Sequence, residues 1–250
     1  MKRTLFAFIL LITFVSQAQN TAIAAGEKLV YTASYNMSGV LNDLAQVTLE
    51  TSNVKTSKAT LLHLKCKAVT YSKWDNFFKI RDLYESYVNP KTLRPYLYKR
   101  DIDEGGYKKN VKYTFSHKTN TVKSVQTKRE WVDKKDIKIS SGTSDVIATL
   151  YKIRLLDYEN MQTGNSKSFK VIFDRAEKNA KITYLGKEKI NTAIGYKTCY
   201  KLRISSSESK SLKGDIWLTA DDNKIMVYGK FKIPVGNGEL KIKSATGLLN

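Results

Sequence analysis

The sequence predicts an all-β protein: a curved, open, mainly antiparallel sheet, or half-barrel, with one helix packed on it near residues 144–158. Three observations carry this. Apolar and polar residues alternate almost from end to end, short turn signals separate the alternating runs, and one segment switches to helical spacing.

The alternation is explicit. Leu29, Tyr31, Ala33, Tyr35 and Met37 fall on one side of a strand, with Val30, Thr32, Ser34 and Asn36 on the other. Leu62, Leu64, Cys66 and Ala68 alternate with His63, Lys65 and Lys67, and Val111, Tyr113 and Phe115 with Lys112, Thr114 and Ser116. Tyr200, Leu202 and Ile204, then Ile225, Val227, Gly229, Phe231 and Ile233, repeat the pattern. Period two with one apolar face marks antiparallel strands that are buried on one side and wet on the other. Asn89-Pro90, Glu104-Gly105-Gly106, Lys118-Thr119-Asn120, Asp221-Asp222-Asn223 and Gly236-Asn237-Gly238 supply the turns, so the strands read as a meander of hairpins.

Between Ser144 and Tyr158 the apolar residues are Val146, Ile147, Leu150, Tyr151, Ile153, Leu155 and Leu156, a helical spacing on more than one face. That predicts a helix partly enclosed by sheet. Ser141, Thr143 and Ser144 offer capping hydroxyls ahead of it, with Asp145 in its first turn. A short helical turn is expected at 72–78. Residues 160–166 are the candidate boundary between two parts of an otherwise single domain spanning 19–250.

The first 18 residues read as an export signal. Lys2 and Arg3 precede an apolar run from Leu5 to Val15, and Ser16-Gln17-Ala18 places small residues for cleavage after Ala18. A second cut is available after Ala24. The run is too short for the roughly 20 residues that span a bilayer, and no Cys follows it, so the expected product is periplasmic or secreted and carries no lipid anchor.

Charge and composition exclude more than they identify. The chain has 250 residues and a net charge of +20. Residues 55–138 carry 21 Lys and Arg against 9 Asp and Glu, so the charge is densest in the middle. This density fits either a solvated, lysine-blunted sheet exterior or a surface for anionic envelope partners. No nucleic-acid-binding motif is present. Two His and two Cys leave little material for a metal site, and no cofactor is expected. Nucleophile-elbow, zinc-protease and phosphate-loop motifs are absent. His63 and His117 read as solvated surface residues. Asp101, Asp103 and Glu104 read as a hairpin tip, and Asp221-Asp222 as a turn. Cys66 falls on an apolar strand face and Cys199 beside Lys197 and Lys201, which predicts two free thiols. Tyr is abundant, with 15 residues. Tyr31, Tyr35, Tyr84, Tyr98 and Tyr113 lie on apolar strand faces and are the candidate lining of a cavity for a lipid or glycan; ordinary core packing is the structural alternative.

Several short runs resemble one family. They are Gly26 to Tyr31, Tyr84 to Asn89 with Leu93-Arg94-Pro95, Gly105-Gly106-Tyr107 and Asp145 to Arg154. Leu185 to Glu188, Gly195 to Cys199 and Ile216-Trp217-Leu218 complete the set. Together they are similar to the domain-of-unknown-function 3108 family of exported Gram-negative proteins. The resemblance implies a half-barrel wrapped around a helix, like periplasmic lipoprotein carriers, and brings no catalytic residues with it. The export signal, the aromatic-rich strand faces, the basic middle and the missing catalytic set point to a non-enzymatic binding or carrier protein for an envelope lipid or glycan. An envelope-assembly scaffold is the second reading, and a hydrolase of an envelope polymer is the third.

Overall fold

A computed structural model describes residues 20–37, 40–206, 213–233 and 236–249; residues 1–18, read from the sequence as an export signal, lie outside them. Eight strands precede the helix: β1 (Lys28–Met37), β2 (Val40–Lys55), β3 (Thr60–Thr70), β4 (Arg81–Val88), β5 (Pro95–Glu104), β6 (Tyr107–Ser116), β7 (Thr121–Lys128) and β8 (Trp131–Lys138). Helix α1 (Val146–Lys152) follows. Six strands complete the chain: β9 (Ser166–Phe173), β10 (Ala176–Thr192), β11 (Gly195–Ser206), β12 (Lys213–Thr219), β13 (Met226–Ile233) and β14 (Gly236–Thr246).

All 14 strands form one antiparallel sheet in the order β8 to β1, then β14 to β9. Every neighbour is a sequence neighbour except β1 and β14, which pair from Lys28↔Thr246 to Tyr35↔Gly238. The meander expected from the turns is therefore two meanders joined through the chain's first and last strands. The edges β8 and β9 do not pair with each other, so the sheet stays open. They are nonetheless drawn together. The segment before α1 lies along β9 through a parallel bridge between Ser144 and Val171. The β9–β10 turn reaches across the opening. Its Arg175 donates from the backbone to the Tyr113 hydroxyl (2.9 Å) and from Nε to Ser124 Oγ (3.0 Å), and it pairs with Asp133.

The helix explains its own sequence. Ile147, Ala148 and Tyr151 pack into a core formed by β3–β8, with Leu64, Tyr98, Val111 and Tyr113. Leu150 and Ile153 pack toward a second core, with Leu29, Tyr31, Leu202 and Ile216. An apolar helix on more than one face is thus a wedge between two halves of one sheet. The α-helix is shorter than the expected 144–158: after Lys152 the chain tightens into a 3₁₀ turn, Ile153–Leu155, and the Tyr158 hydroxyl takes up the Ile153 carbonyl (2.6 Å). Asp145 is the cap, in place of the expected hydroxyls; its carboxylate accepts from Ala148 N–H (2.8 Å). The Ser144 backbone forms the bridge to β9, and its hydroxyl accepts from Lys152 Nζ (2.5 Å). The turn expected at 72–78 opens as a 3₁₀ turn over Ser72–Trp74, and the Phe77 and Phe78 N–H groups continue it by donating to the Trp74 carbonyl (2.9 and 3.0 Å).

Candidate functional site

The two halves of the inner face are not equally filled. Against β3–β8 the helix packs tightly. Against β9–β13 it leaves a cavity of about 530 Å³, within the usual range of roughly 300–1,000 Å³ for ligand sites. Val146, Leu150 and Ile153, at helical spacing, form its helix wall. Val171, Phe173, Ala180, Ile182, Ile204 and Phe231 form its sheet wall. Lys178, Asn179, Ser206, Lys213 and Lys232 border it where β10 begins, β11 ends, β12 begins and β13 ends.

Phe231 sits there because two glycines make room. Gly214 lies opposite it on β12, and Gly229 lies two residues before it on the same face. A Cβ at Gly214 would stand 2.7 Å from the Phe231 ring, and one at Gly229 would stand 2.8 Å from it. The ring therefore lies flat on the sheet and forms wall without filling the cavity.

The helix wall is held by a buried acid. The Asp145 carboxylate accepts from Ser86 Oγ (2.6 Å) as well as from the helix N–H. Burial pushes its pKa up to about 6, although these hydrogen bonds pull the other way. The folded state thus holds the proton more tightly than the unfolded chain does. The resulting stability is complete below about pH 4 and is lost as pH rises through about 6, by roughly 3 kcal/mol. Asp145→Asn keeps an oxygen acceptor for Ala148 and should flatten this slope in urea unfolding between these pH values. An unaltered slope would contradict the assignment.

None of the five tyrosines read from the sequence borders the cavity. Tyr31 is fully buried and donates to the Met226 carbonyl (2.8 Å). Tyr84, Tyr98 and Tyr113 come together on the other half of the inner face, the last two with ring centroids 5.6 Å apart. Tyr35 is the nearest in register, opposite Gly238, which in turn faces Phe231. The cavity residues had a weaker signal: Val146, Leu150 and Ile153 make the helix apolar beyond a single stripe, and a second surface was implied for them to meet.

The remaining polar candidates lie elsewhere. His63 stacks on Tyr87 (4.4 Å) and stands 2.9 Å from Glu85, so it is shielded on the outer face and not solvated as expected. His117 is likewise half-buried: its Nε2–H donates to the Pro95 carbonyl (2.6 Å), and burial lowers its pKa. Asp221 accepts from Thr219 Oγ1 and from the Asn223 and Lys224 N–H groups, which makes it a turn residue. Among the described residues no three of His, Cys, Asp and Glu stand close enough to hold a metal ion. Both cysteines are free, but Cys199 is buried and not exposed beside its lysines. Burial pushes the Cys66 thiol up to about 12 and the Cys199 thiol, with Asp221 nearby, up to about 11. Neither should react with an aromatic disulfide reagent at pH 8 in the folded protein, and both should react after denaturation without reductant. A denatured count near zero would reveal a disulfide.

These features define a class of protein: a barrel-like, open antiparallel sheet that holds an apolar cavity beside helix α1. Residues 30–243 match the family described as proteins of unknown function DUF3108, and the chain belongs to it. No curated protein matches the sequence at a significant level. Among solved structures, a beta-barrel-like protein of the domain of unknown function DUF1849 from Brucella abortus is similar in fold. It shares 7% identity at a TM-score of 0.62, over 90% of this chain and 98% of its own. A protein named provisionally as a lipoprotein, from Parabacteroides distasonis, gives 14% identity and a TM-score of 0.36, over 89% of this chain and 96% of its own. An exported protein with a YmcC-like fold from Bacteroides fragilis gives 10% and 0.31, over 89% and 96%. No helix among the described residues is long and apolar enough to cross a membrane.

Proposed function

We propose that the protein is an exported, non-enzymatic carrier or binding protein for an envelope lipid, whose acyl chain occupies the cavity between α1 and β9–β13. The apolar lining of that cavity is the observation that carries this reading. An apolar wall of Leu, Ile, Val and Phe stabilises a hydrocarbon chain through burial, at about 0.8 kcal/mol per methylene. It offers a glycan almost nothing, because buried sugar hydroxyls would lack hydrogen-bond partners. The lysines at the mouth suit an anionic head group. The export signal at 1–18 supports a periplasmic or secreted location, where such lipids are met. An interaction scaffold would not need an unfilled cavity in its core.

Native mass spectrometry of protein purified from its own envelope tests the reading. The expected result is an additional mass that dissociates as an amphiphile. Protein that is repeatedly bare, from envelopes extracted without stripping detergents, would overturn it.

A further inference from the structure

Strand order places the turns at two ends. In a meander, alternate hairpins fall at the same end of the sheet. The β1–β2, β3–β4, β5–β6, β7–β8 and β9–β10 connections therefore share one end, with the last residues of β11 and β13. The mouth of the cavity, at Lys178, Ser206, Lys213 and Lys232, lies at that end.

The exposed apolar side chains are gathered there too. Ten large hydrophobic residues are exposed among the described residues, and seven belong to this end: Val40, Leu41, Phe77, Phe78, Tyr107, Trp131 and Val132. Phe77 is 81% exposed and Trp131 is 68% exposed, more than folding alone explains.

They form a connected rim. Trp74 Nε1 donates to the Asp43 carbonyl (2.7 Å), which ties the β3–β4 turn to β2, and its ring meets Phe77 edge-on (5.9 Å). The Phe78 ring lies over Gly105 in the β5–β6 turn, so close that a Cβ there would stand 3.2 Å from it. Lys128, beside the β7–β8 turn, lies over the Tyr107 ring (4.8 Å). Arg175 then joins β8 to the β9–β10 turn, next to the cavity. Cations punctuate the rim: Lys73, Lys79, Lys108, Lys128 and Arg129 are all exposed.

We propose that this rim docks on an anionic lipid leaflet and turns the cavity mouth toward the bilayer. Aromatic side chains favour the membrane–water interface, because the ring is apolar while its edge tolerates water. Lysines interspersed with them complement anionic head groups, an attraction that salt screens. A second protein would satisfy the aromatics, but the cations favour the lipid surface. The inference goes beyond the carrier reading, and its test does not need a loaded cavity.

The full chain is titrated with vesicles of phosphatidylglycerol and phosphatidylcholine whose acyl chains carry bromine, which quenches tryptophan on contact. Trp74 and Trp131 are on the rim, whereas Trp217 is buried. Quenching is expected, weaker in high salt and with phosphatidylcholine alone. Phe77→Ser/Trp131→Ser should lose about tenfold or more in vesicle affinity, since two inserted anchors are gone. Tyr196→Ser, at the opposite end and 79% exposed, should change nothing. The leader is common to all three chains, and equal melting temperatures confirm that each is folded. No quenching, or an unchanged vesicle affinity of the double variant read at Trp74, overturns the proposal. So does a concentration-dependent dimer that the double variant abolishes, because it would assign the rim to a second copy. A bare cavity with intact vesicle binding would remove the carrier reading alone.

Discussion

Arg154→Ala should destabilise the protein by about 3–5 kcal/mol, the cost of stranding one member of a buried ion pair. The Arg154 side chain is 5% exposed and that of Glu27 is 1% exposed. Their contact is bidentate, Nη1 to Oε1 at 2.7 Å and Nη2 to Oε2 at 2.6 Å, the geometry in which a guanidinium fork matches a carboxylate. Arg154 also donates from Nη2 to the Ala22 carbonyl (3.0 Å) and from Nε to the Asn223 carbonyl (2.9 Å). Asn223 in turn exchanges two hydrogen bonds with Leu249. One side chain therefore joins the segment before β1, the end of the helix, the β12–β13 turn and the residues after β14. Removing it leaves the Glu27 carboxylate buried without a counter-charge. Urea unfolding measures the loss. The double variant Arg154→Met/Glu27→Leu should recover most of it, because neither charge then remains to be solvated. A single variant within about 1 kcal/mol of the parent would mean that water reaches the pair.

On the carrier reading proposed above, Ala180→Trp should weaken acyl-chain binding by about a hundredfold without unfolding the protein. Ala180 lies on the sheet wall between Lys178 and Ile182, and its small side chain leaves cavity volume unfilled. An indole there would displace three or four methylenes of a bound chain. At about 0.8 kcal/mol each, that is roughly 3 kcal/mol, or about a hundredfold in affinity. Displacement of a fluorescent fatty acid measures it, and a thermal melt confirms the fold. Unchanged affinity in a folded variant would place the ligand elsewhere. Wild-type affinity for Ala180→Ser would show that size, and not mere substitution, matters.

The strands that could be read from the sequence are those whose two faces meet different solvents. β1, β3, β6, β11 and β13 alternate because one face meets the core and the other meets water. β8 was not legible in this way: at the open edge only Ile137 is buried, so Asp133, Lys134, Lys135 and Asp136 follow one another without a pattern. β10 was obscured by a register shift between Tyr184 and Gly186, which interrupts its alternation. The helix was legible, but its end was not. Helical spacing continues to Leu156, while the capping of Ile153 by Tyr158 depends on tertiary contact.

The sequence by itself determined the antiparallel hairpins, the enclosed helix near 146–152 and the family. Each rests on local periodicity or on neighbours along the chain, and local physics decides them. Only the tertiary structure decided which aromatic faces are core and which wall is open. Tyr98 and Tyr113 carry the same alternation as Ile182, Ile204 and Phe231. The difference is what lies opposite. The helix presses on the first half of the sheet, whereas Gly214 and Gly229 let Phe231 lie flat and keep the second half open. The pairing of β1 with β14, some 200 residues apart in sequence, is likewise invisible to any local pattern. That pairing makes two meanders one sheet and brings the cavity mouth and the apolar rim to the same end.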